Sequence, residues 1–427
     1  MSLHQMDLPV NASFGHAPIQ LPLQMRLLNA LGPCFAAMGF FNMKEDPDHY
    51  MRWAQQKLDL DSFGEFDLRT PLKYLLNTLK HEAGLGLFGR IAADKMIRRN
   101  LMNNLLLQEE FVKNPTLGDV DVESPLIIIC TPRTGSTLLH NLLAQHTESR
   151  ALKMWELHRP NPAPLPINEF TDQRIKQSDQ EFGMYYRMVP DMKAIHYFAP
   201  EAIEECTHIF NNLFSCRLSF STMANTSSYT DWIMEQDMTD TYIAYKKHLQ
   251  VLKYHYQKKI LVLKSPAHIL SLDALTNVFP KAKIIHLHRD PATAAGSFCS
   301  LTEAVQISMR NQVDTQAIGG MWRKIWTPAM LNSVAWRKNK QLDVLDVNFK
   351  TLIRDPCRTV ENIYQHFNLP VPNSLKGSVH RYLQEHPKDE YGTHQYSLER
   401  YGLCRRELHR EYRDYIDYYQ VPLEADS

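Results

Sequence analysis

PLIIICTPRTGSTLLHNLL, residues 125–143, is the stretch that decides the fold of this chain. Leu126 to Ile129 form an apolar, β-branched run that ends at Cys130-Thr131-Pro132. The chain then turns through Arg133-Thr134-Gly135-Ser136-Thr137 and enters an amphipathic LLHNLLAQ segment. That order predicts a buried strand, a tight loop and the start of a helix. Three hydroxyl residues, one glycine and one arginine at a helix N-terminus suit an anion. Unsatisfied backbone N–H groups, the helix dipole and a guanidinium fork all favour negative charge there.

The loop is not a Walker A motif, which has the form GxxxxGK[ST] and uses its lysine on the β/γ-phosphates. Here one glycine is present, no lysine follows it, and Arg133 stands two residues before it. Such a site suits a single phosphate group better than a triphosphate. An ordinary strand–loop–helix joint would need neither Arg133 nor so many hydroxyls.

Bulk properties narrow the function classes. A chain of 427 residues supports one large domain or two ordinary ones, and 44% hydrophobic residues supply a substantial core. The 47 basic residues balance 47 acidic ones, so no global basic field argues for nucleic acid or an anionic membrane. Any anion site must be local. Seven scattered cysteines without a CxxC fit a reduced, cytoplasmic protein without structural zinc. No basic segment followed by an apolar one opens the chain, so no signal peptide is expected. The apolar stretch 27–41 contains Gly32-Pro33 and is too short to span a bilayer. Oligomeric state, including a homo-oligomer, is left open.

Residues 1–122 form a helical region expected to pack on the core. QMRLLNALG, MRWAQQKL, TPLKYLLNTLKHEAGL and GRIAADKMIRRNLMNNLLLQEEF each space apolar residues at three and four. Asp61-Ser62 and Arg69-Thr70-Pro71 read as helix starts. Residues 123–427 then alternate. Strands are predicted at LIIIC, KKILVLKS (258–265), KAKIIHLH (281–288) and QLDVLDVNF (341–349), and a helix follows each. This implies an α/β fold: a P-loop-like parallel sheet flanked by helices, with ligands at the carboxyl ends of its strands. A longer helical stretch, 144–257, reads as an acceptor-site insertion.

A second anion signature follows the third of these strands, where HRDPATAAGS places Arg289 eight residues before Ser297. In a parallel sheet this loop can lie beside the first and hold a second phosphate; the bland reading is an Arg–Asp helix cap. Taken together, the segments resemble the sulfotransferases that use 3′-phosphoadenosine 5′-phosphosulfate (PAPS), of the type called sulfotransferase family 3, over nearly the whole chain. TPRTGSTLLHNLLAQ resembles the 5′-phosphosulfate loop, LVLKSPAHILSLDAL the strand–loop with an active-site lysine, and HRDPATAAGSFCSL the 3′-phosphate motif. MWELHRPNPAPLP, HYFAPEAIEEC and HPKDEYGTHQYSLERYGL are similar to further segments of this group.

The resemblance implies that Arg133, Thr134, Gly135, Ser136 and Thr137 cradle the 5′-phosphosulfate and that Lys264 is catalytic. It implies that Arg289 and Ser297 hold the 3′-phosphate, with Lys388 and His394 reaching it from the C-terminal segment. Three positions depart from the cytosolic pattern. Leu138 stands where a tryptophan stacks on adenine, Phe349-Lys350 stand for a tyrosine–acid pair, and Pro266 stands where a histidine follows the lysine. Transfer to an alcohol needs a base for the hydroxyl proton and cations for the leaving oxygen. His196, just before Glu201, Glu204 and Glu205, is the first choice of base, and His268 is the second. His286 and His288 alternate on a strand without an acidic partner at ligand spacing, so no metal is expected. The implied activity is sulfuryl transfer from PAPS to a hydroxyl of a small acceptor. Tyr185, Tyr186, Tyr197, Phe198, Phe210 and Phe214 are candidates for an apolar acceptor pocket. The rival readings are a small-molecule kinase using ATP–Mg and a non-catalytic nucleotide-binding protein.

Overall fold

All five residues of β1 (Leu126–Cys130) are buried, because both faces of this strand are covered. Ile127 and Ile129 point into a large apolar core shared with the N-terminal helices. Leu126, Ile128 and Cys130 point the other way, into a smaller core with Leu139, Leu142, Val360 and Ile363. A run of five apolar residues, rather than an alternating pattern, is what a strand in a doubly covered parallel sheet requires. The computed structural model describes residues 22–31, 35, 43–188, 192, 197–310, 312–340, 342–387 and 396–424. His196, Lys388 and His394 lie outside the described residues.

The sheet has five strands in the order β2-β3-β1-β4-β5, and every pairing is parallel. β3 spans Ile260–Lys264, β4 Lys283–His288 and β5 Val344–Asn348, each inside its predicted stretch. β2, Ser149–Ala151, was not expected: three residues with one buried position carry no periodic signal. β1 lies between β3 and β4, so the loops after all three strands converge at one end of the sheet. This is the switch point where open α/β sheets bind ligands.

Long N-terminal helices cover the large-core face: Pro47–Leu58, Arg69–His81 and Leu87–Lys113. Asp46 caps the first of them, accepting the Asp48 N–H at 3.0 Å. The expected start at Asp61-Ser62 is corrected. No helix begins there, and Ser62 Oγ accepts the Gly64 N–H at 3.2 Å in a turn. The carboxylate that serves the next helix is Asp67, which accepts from Arg69 and Thr70 N–H at 2.9 and 3.1 Å. Among the described residues, no helix is long and apolar enough to cross a membrane.

Candidate active site

The loop after β1 is built to expose its backbone. Arg133 (φ 65°) and Gly135 (φ 85°) both adopt left-handed conformations, and the helix Ser136–Leu143 starts immediately after them. Leu139 N–H is the first to bond back, to Gly135 O at 3.1 Å. Among the described residues no carbonyl accepts from the N–H groups of Thr134 to Leu138. Five adjacent donors at the positive end of a helix dipole are what an anion cradle requires. A left-handed non-glycine residue is strained and is tolerated where surrounding structure enforces it. Thr134 is buried, and its hydroxyl donates to Thr131 O at 3.0 Å, so that side chain braces the loop from within. Ser136 is buried and Thr137 exposed at the helix start.

Arg133 links this loop to the next one. Its Nε donates to Ser297 Oγ at 2.9 Å, and Arg289 Nη1 donates to Arg133 O at 3.0 Å. Burial and the neighbouring Arg289 pull the Arg133 guanidinium below its ordinary range. Arg289 sits between β4 and the helix Pro291–Met309, stacks on the Phe349 ring at 4.2 Å, and is paired in bidentate fashion with Glu424. Asp290, fully buried, caps that helix through the Ala292 N–H at 2.9 Å. It also binds Arg405, His409 and the Glu424 N–H. Burial opposes its charge, yet these donors hold its carboxyl below the usual range. The bland cap reading thus describes Asp290 and not Arg289.

Lys264 ends β3 and is almost fully buried, with its Nζ 2.5 Å from Glu205 Oε1. Burial disfavours its charge, but Glu205 and Glu204 outweigh that and hold its pKa above the ordinary value. Glu205 also accepts from Thr207 Oγ1 at 3.1 Å, and Thr207 contacts Ser265 at 2.7 Å. His268, the second candidate base, packs among Phe210, Tyr242 and Tyr245, with Nδ1 2.9 Å from Tyr242 Oη. Burial lowers its pKa to about 3, and it does not line the cavity described below.

His286 and His288 do have an acidic partner, contrary to expectation: the β4–β5 register sets Asp346 opposite His286. His288 Nε2 lies 3.0 Å from Asp346 Oδ1, and its Nδ1 lies 2.7 Å from Tyr415 Oη. The ground for excluding a metal there therefore falls. What opposes an ion is Arg337, whose guanidinium lies 3.6 Å from the other Asp346 oxygen.

One cavity of about 920 Å³ joins the two phosphate-type loops to an apolar chamber. Pro132, Arg133, Gly135, Ser136, Thr137, Arg289 and Phe349 line one part, and Lys264's partner Glu205 lines the same space. Phe88, Met96, Phe182, Tyr185, Phe198 and Phe298 are among the apolar residues of the rest. The N-terminal helix Leu87–Lys113 therefore forms part of the chamber wall. Of the six aromatic candidates only Tyr185 and Phe198 are in that wall. Phe210 and Phe214 are core residues, exposed by 2% and 0%.

This geometry agrees with comparisons to known proteins. Residues 125–373, more than half the chain, match the model of the sulfotransferase family. The chain belongs to that family. Sulfotransferase STF9 of Mycobacterium avium superposes with a TM-score of 0.80 at 26% identity, over 90% of this chain and 99% of that one. Sulfotransferase STF1 of Mycobacterium tuberculosis gives 0.76 at 28% identity, over 86% and 99%. Omega-hydroxy-beta-dihydromenaquinone-9 sulfotransferase Stf3 of Mycobacterium bovis and of Mycobacterium tuberculosis is 25% identical over 294 residues, 65% of this chain and 71% of the relative. The chain is thus a transferase of sulfur-containing groups, and membership implies PAPS as co-substrate.

Within this sulfotransferase, Arg133, Gly135, Ser136, Thr137 and Arg289 face one cavity. Ser297 meets it through Arg133. Lys264 adjoins it through Glu205. Reading the sequence alone missed Glu424 and His208, and it named Glu205 only among the acids after His196, not as the partner of Lys264. Glu424 is the ion-pair partner of Arg289, Glu205 that of Lys264, and His208 lines the cavity beside His158 at a ring separation of 5.1 Å. A cluster of acids after Tyr197-Phe198 was the only signal available for Glu205.

Gly135 offers a direct check on the cradle. A Cβ there would lie 2.7 Å from the Phe349 ring, on a backbone that L-residues rarely adopt. Gly135→Ala is expected to weaken adenosine 3′,5′-bisphosphate binding by about tenfold or more, since a strained φ costs on the order of 1–3 kcal/mol. Calorimetry with the folded variant reads this out.

Proposed function

We propose that this sulfotransferase moves the sulfuryl group of PAPS to a hydroxyl of a small, apolar alcohol or phenol, with His196 as general base. The observation that carries the reading is the continuity of one cavity from the Arg133–Thr137 loop to a chamber walled by Phe88, Phe182, Tyr185 and Phe198. Lys95, Arg98, Arg99 and Arg159 also line the cavity, with Arg159 paired to Glu181, so the apolar wall is what supports this acceptor class. The two curated relatives are named for a hydroxylated dihydromenaquinone, an acceptor in keeping with an apolar chamber.

The donor set fits two separate phosphate groups: the 134–138 amides with Arg133 for one, Arg289 with Ser297 for the other. PAPS, when bound, supplies the activated sulfuryl group. His196 takes the acceptor's hydroxyl proton as the oxygen attacks sulfur. The S–O bond to the 5′-phosphate breaks, and its electron pair stays on the phosphate oxygen. Arg133, Lys264 and the loop amides stabilise the charge that builds there. Lys388 and His394 belong to the proposed 3′-phosphate site. Fixed cations and amide dipoles suffice for this electrostatic role, so the proposal includes no metal.

A second reading of the base is favoured by one contact. Glu205 lines the cavity and touches Lys264, which supports a reading in which its carboxylate accepts the proton. Screening labelled PAPS against a library of alcohols and phenols finds the acceptor, and pH profiles then separate the two. With His196 as base, kcat/KM rises with pH, because the base must be unprotonated. His196→Ala removes that limb and about 10²–10⁴-fold of rate. A profile that keeps the limb in His196→Ala and loses its rate in Glu205→Gln would instead assign the base to Glu205.

A further inference from the structure

Arg289 and Ser297, the two described side chains of the proposed 3′-phosphate site, are already engaged within the chain. Ser297 Oγ accepts from Arg133 Nε, and the Arg289 fork is filled by Glu424, with Nε–Oε1 at 2.8 Å and Nη2–Oε2 at 3.0 Å. A carboxylate bound edge-on by two guanidinium N–H groups occupies the donor directions that a phosphate would use. The tail is held there by more than this pair. Glu424 N–H donates to the buried Asp290 carboxylate at 2.8 Å, and Arg405 Nη1 donates to Glu424 O at 3.4 Å. Lys350 reaches the preceding carbonyl, Leu423 O, at 2.5 Å. These backbone contacts leave the Glu424 side chain able to turn away from Arg289 without undocking the segment.

We propose that Glu424 is an internal competitor for the 3′-phosphate subsite. Its carboxylate holds the Arg289 fork when no nucleotide is bound, yields it to the 3′-phosphate, and returns as the bisphosphate product leaves. This rests on the PAPS reading of the site and adds a consequence for affinity. Binding of the 3′-phosphate becomes an exchange of one anion for another on Arg289, which lowers the affinity for substrate and product and speeds release of adenosine 3′,5′-bisphosphate. A nucleotide without a 3′-phosphate gains nothing from Arg289 and is indifferent to Glu424. The side chains of the pair are only 20% and 22% exposed, so water screens the contact weakly.

The test is calorimetry on the full chain with adenosine 3′,5′-bisphosphate and, separately, AMP. Glu424→Gln keeps the shape and removes the charge; Glu424→Ala is the second variant, and thermal melts check folding. Both variants are expected to bind the bisphosphate about three- to tenfold more tightly than the parent, the scale of one partly buried ion pair. AMP affinity is expected to stay within about twofold, and release of the bisphosphate in stopped flow to slow in parallel. Unchanged or weaker bisphosphate binding in both folded variants would overturn the proposal and make Glu424 a positioning residue for Arg289. Failure of parent and variants alike to bind the bisphosphate would instead overturn the nucleotide reading itself, and this proposal with it.

Discussion

Arg133→Ala is expected to abolish turnover, with a loss of about 10³-fold or more in kcat, the scale of removing a main electrostatic contact to the transition state. Two effects combine. The guanidinium proposed to face the transferred group disappears, and so does the Nε–Ser297 contact that ties the β1 loop to the β4 loop. Arg133→Lys separates the two contributions, because it keeps a cation but loses the planar fork. Labelled-sulfate transfer from PAPS, measured beside thermal melts, reports both variants. Retained PAPS-dependent activity in folded Arg133→Ala would sink the assignment of this loop.

Lys264→Met is the second large effect. The ammonium is buried and held charged by Glu205 and Glu204, so methionine fills its volume but takes the lysine cation away from Glu205. Turnover is expected to fall by about 10²–10³-fold. Stability is expected to fall by about 2–3 kcal/mol, below the usual cost of breaking a fully buried pair because Glu205 retains some solvent contact. Adding Glu205→Gln to Lys264→Met then restores stability without restoring rate. A double variant that recovers turnover would show that Lys264 serves only to neutralise Glu205.

Much of the architecture was legible because the informative features are local. The five-residue apolar run at Leu126–Cys130, the TPRTGST loop and the following helix start each carry their signal within a few residues. β3, β4 and β5 likewise lie inside the apolar stretches that announce them. Features set by distant pairing were not legible. Lys264 meets Glu205 across 59 residues and Arg289 meets Glu424 across 135, and no periodicity connects such pairs. Asp346 opposes His286 only because of the β4–β5 register, which tertiary packing fixes. His268 looked available beside Lys264, yet the short turn Pro266–Ser271 carries its ring into an aromatic cage.

The apolar chamber shows the same division. Composition marked residues 144–257 as aromatic and helical, but it could not separate the wall residues Tyr185 and Phe198 from the core residues Phe210 and Phe214. Nor did it reveal that Phe88 and Met96, from the N-terminal helices, complete the chamber. Which face of a helix meets a cavity depends on how that helix docks, and docking is not written in its own period.

The most direct test of the central claim is calorimetric titration of the wild-type chain with adenosine 3′,5′-bisphosphate and with ATP–Mg, repeated in Arg289→Ala. The account predicts binding of the bisphosphate, about tenfold or more weaker in Arg289→Ala, and little or no response to ATP–Mg. Tight ATP–Mg binding that ignores Arg289, with no response to the bisphosphate, would contradict it.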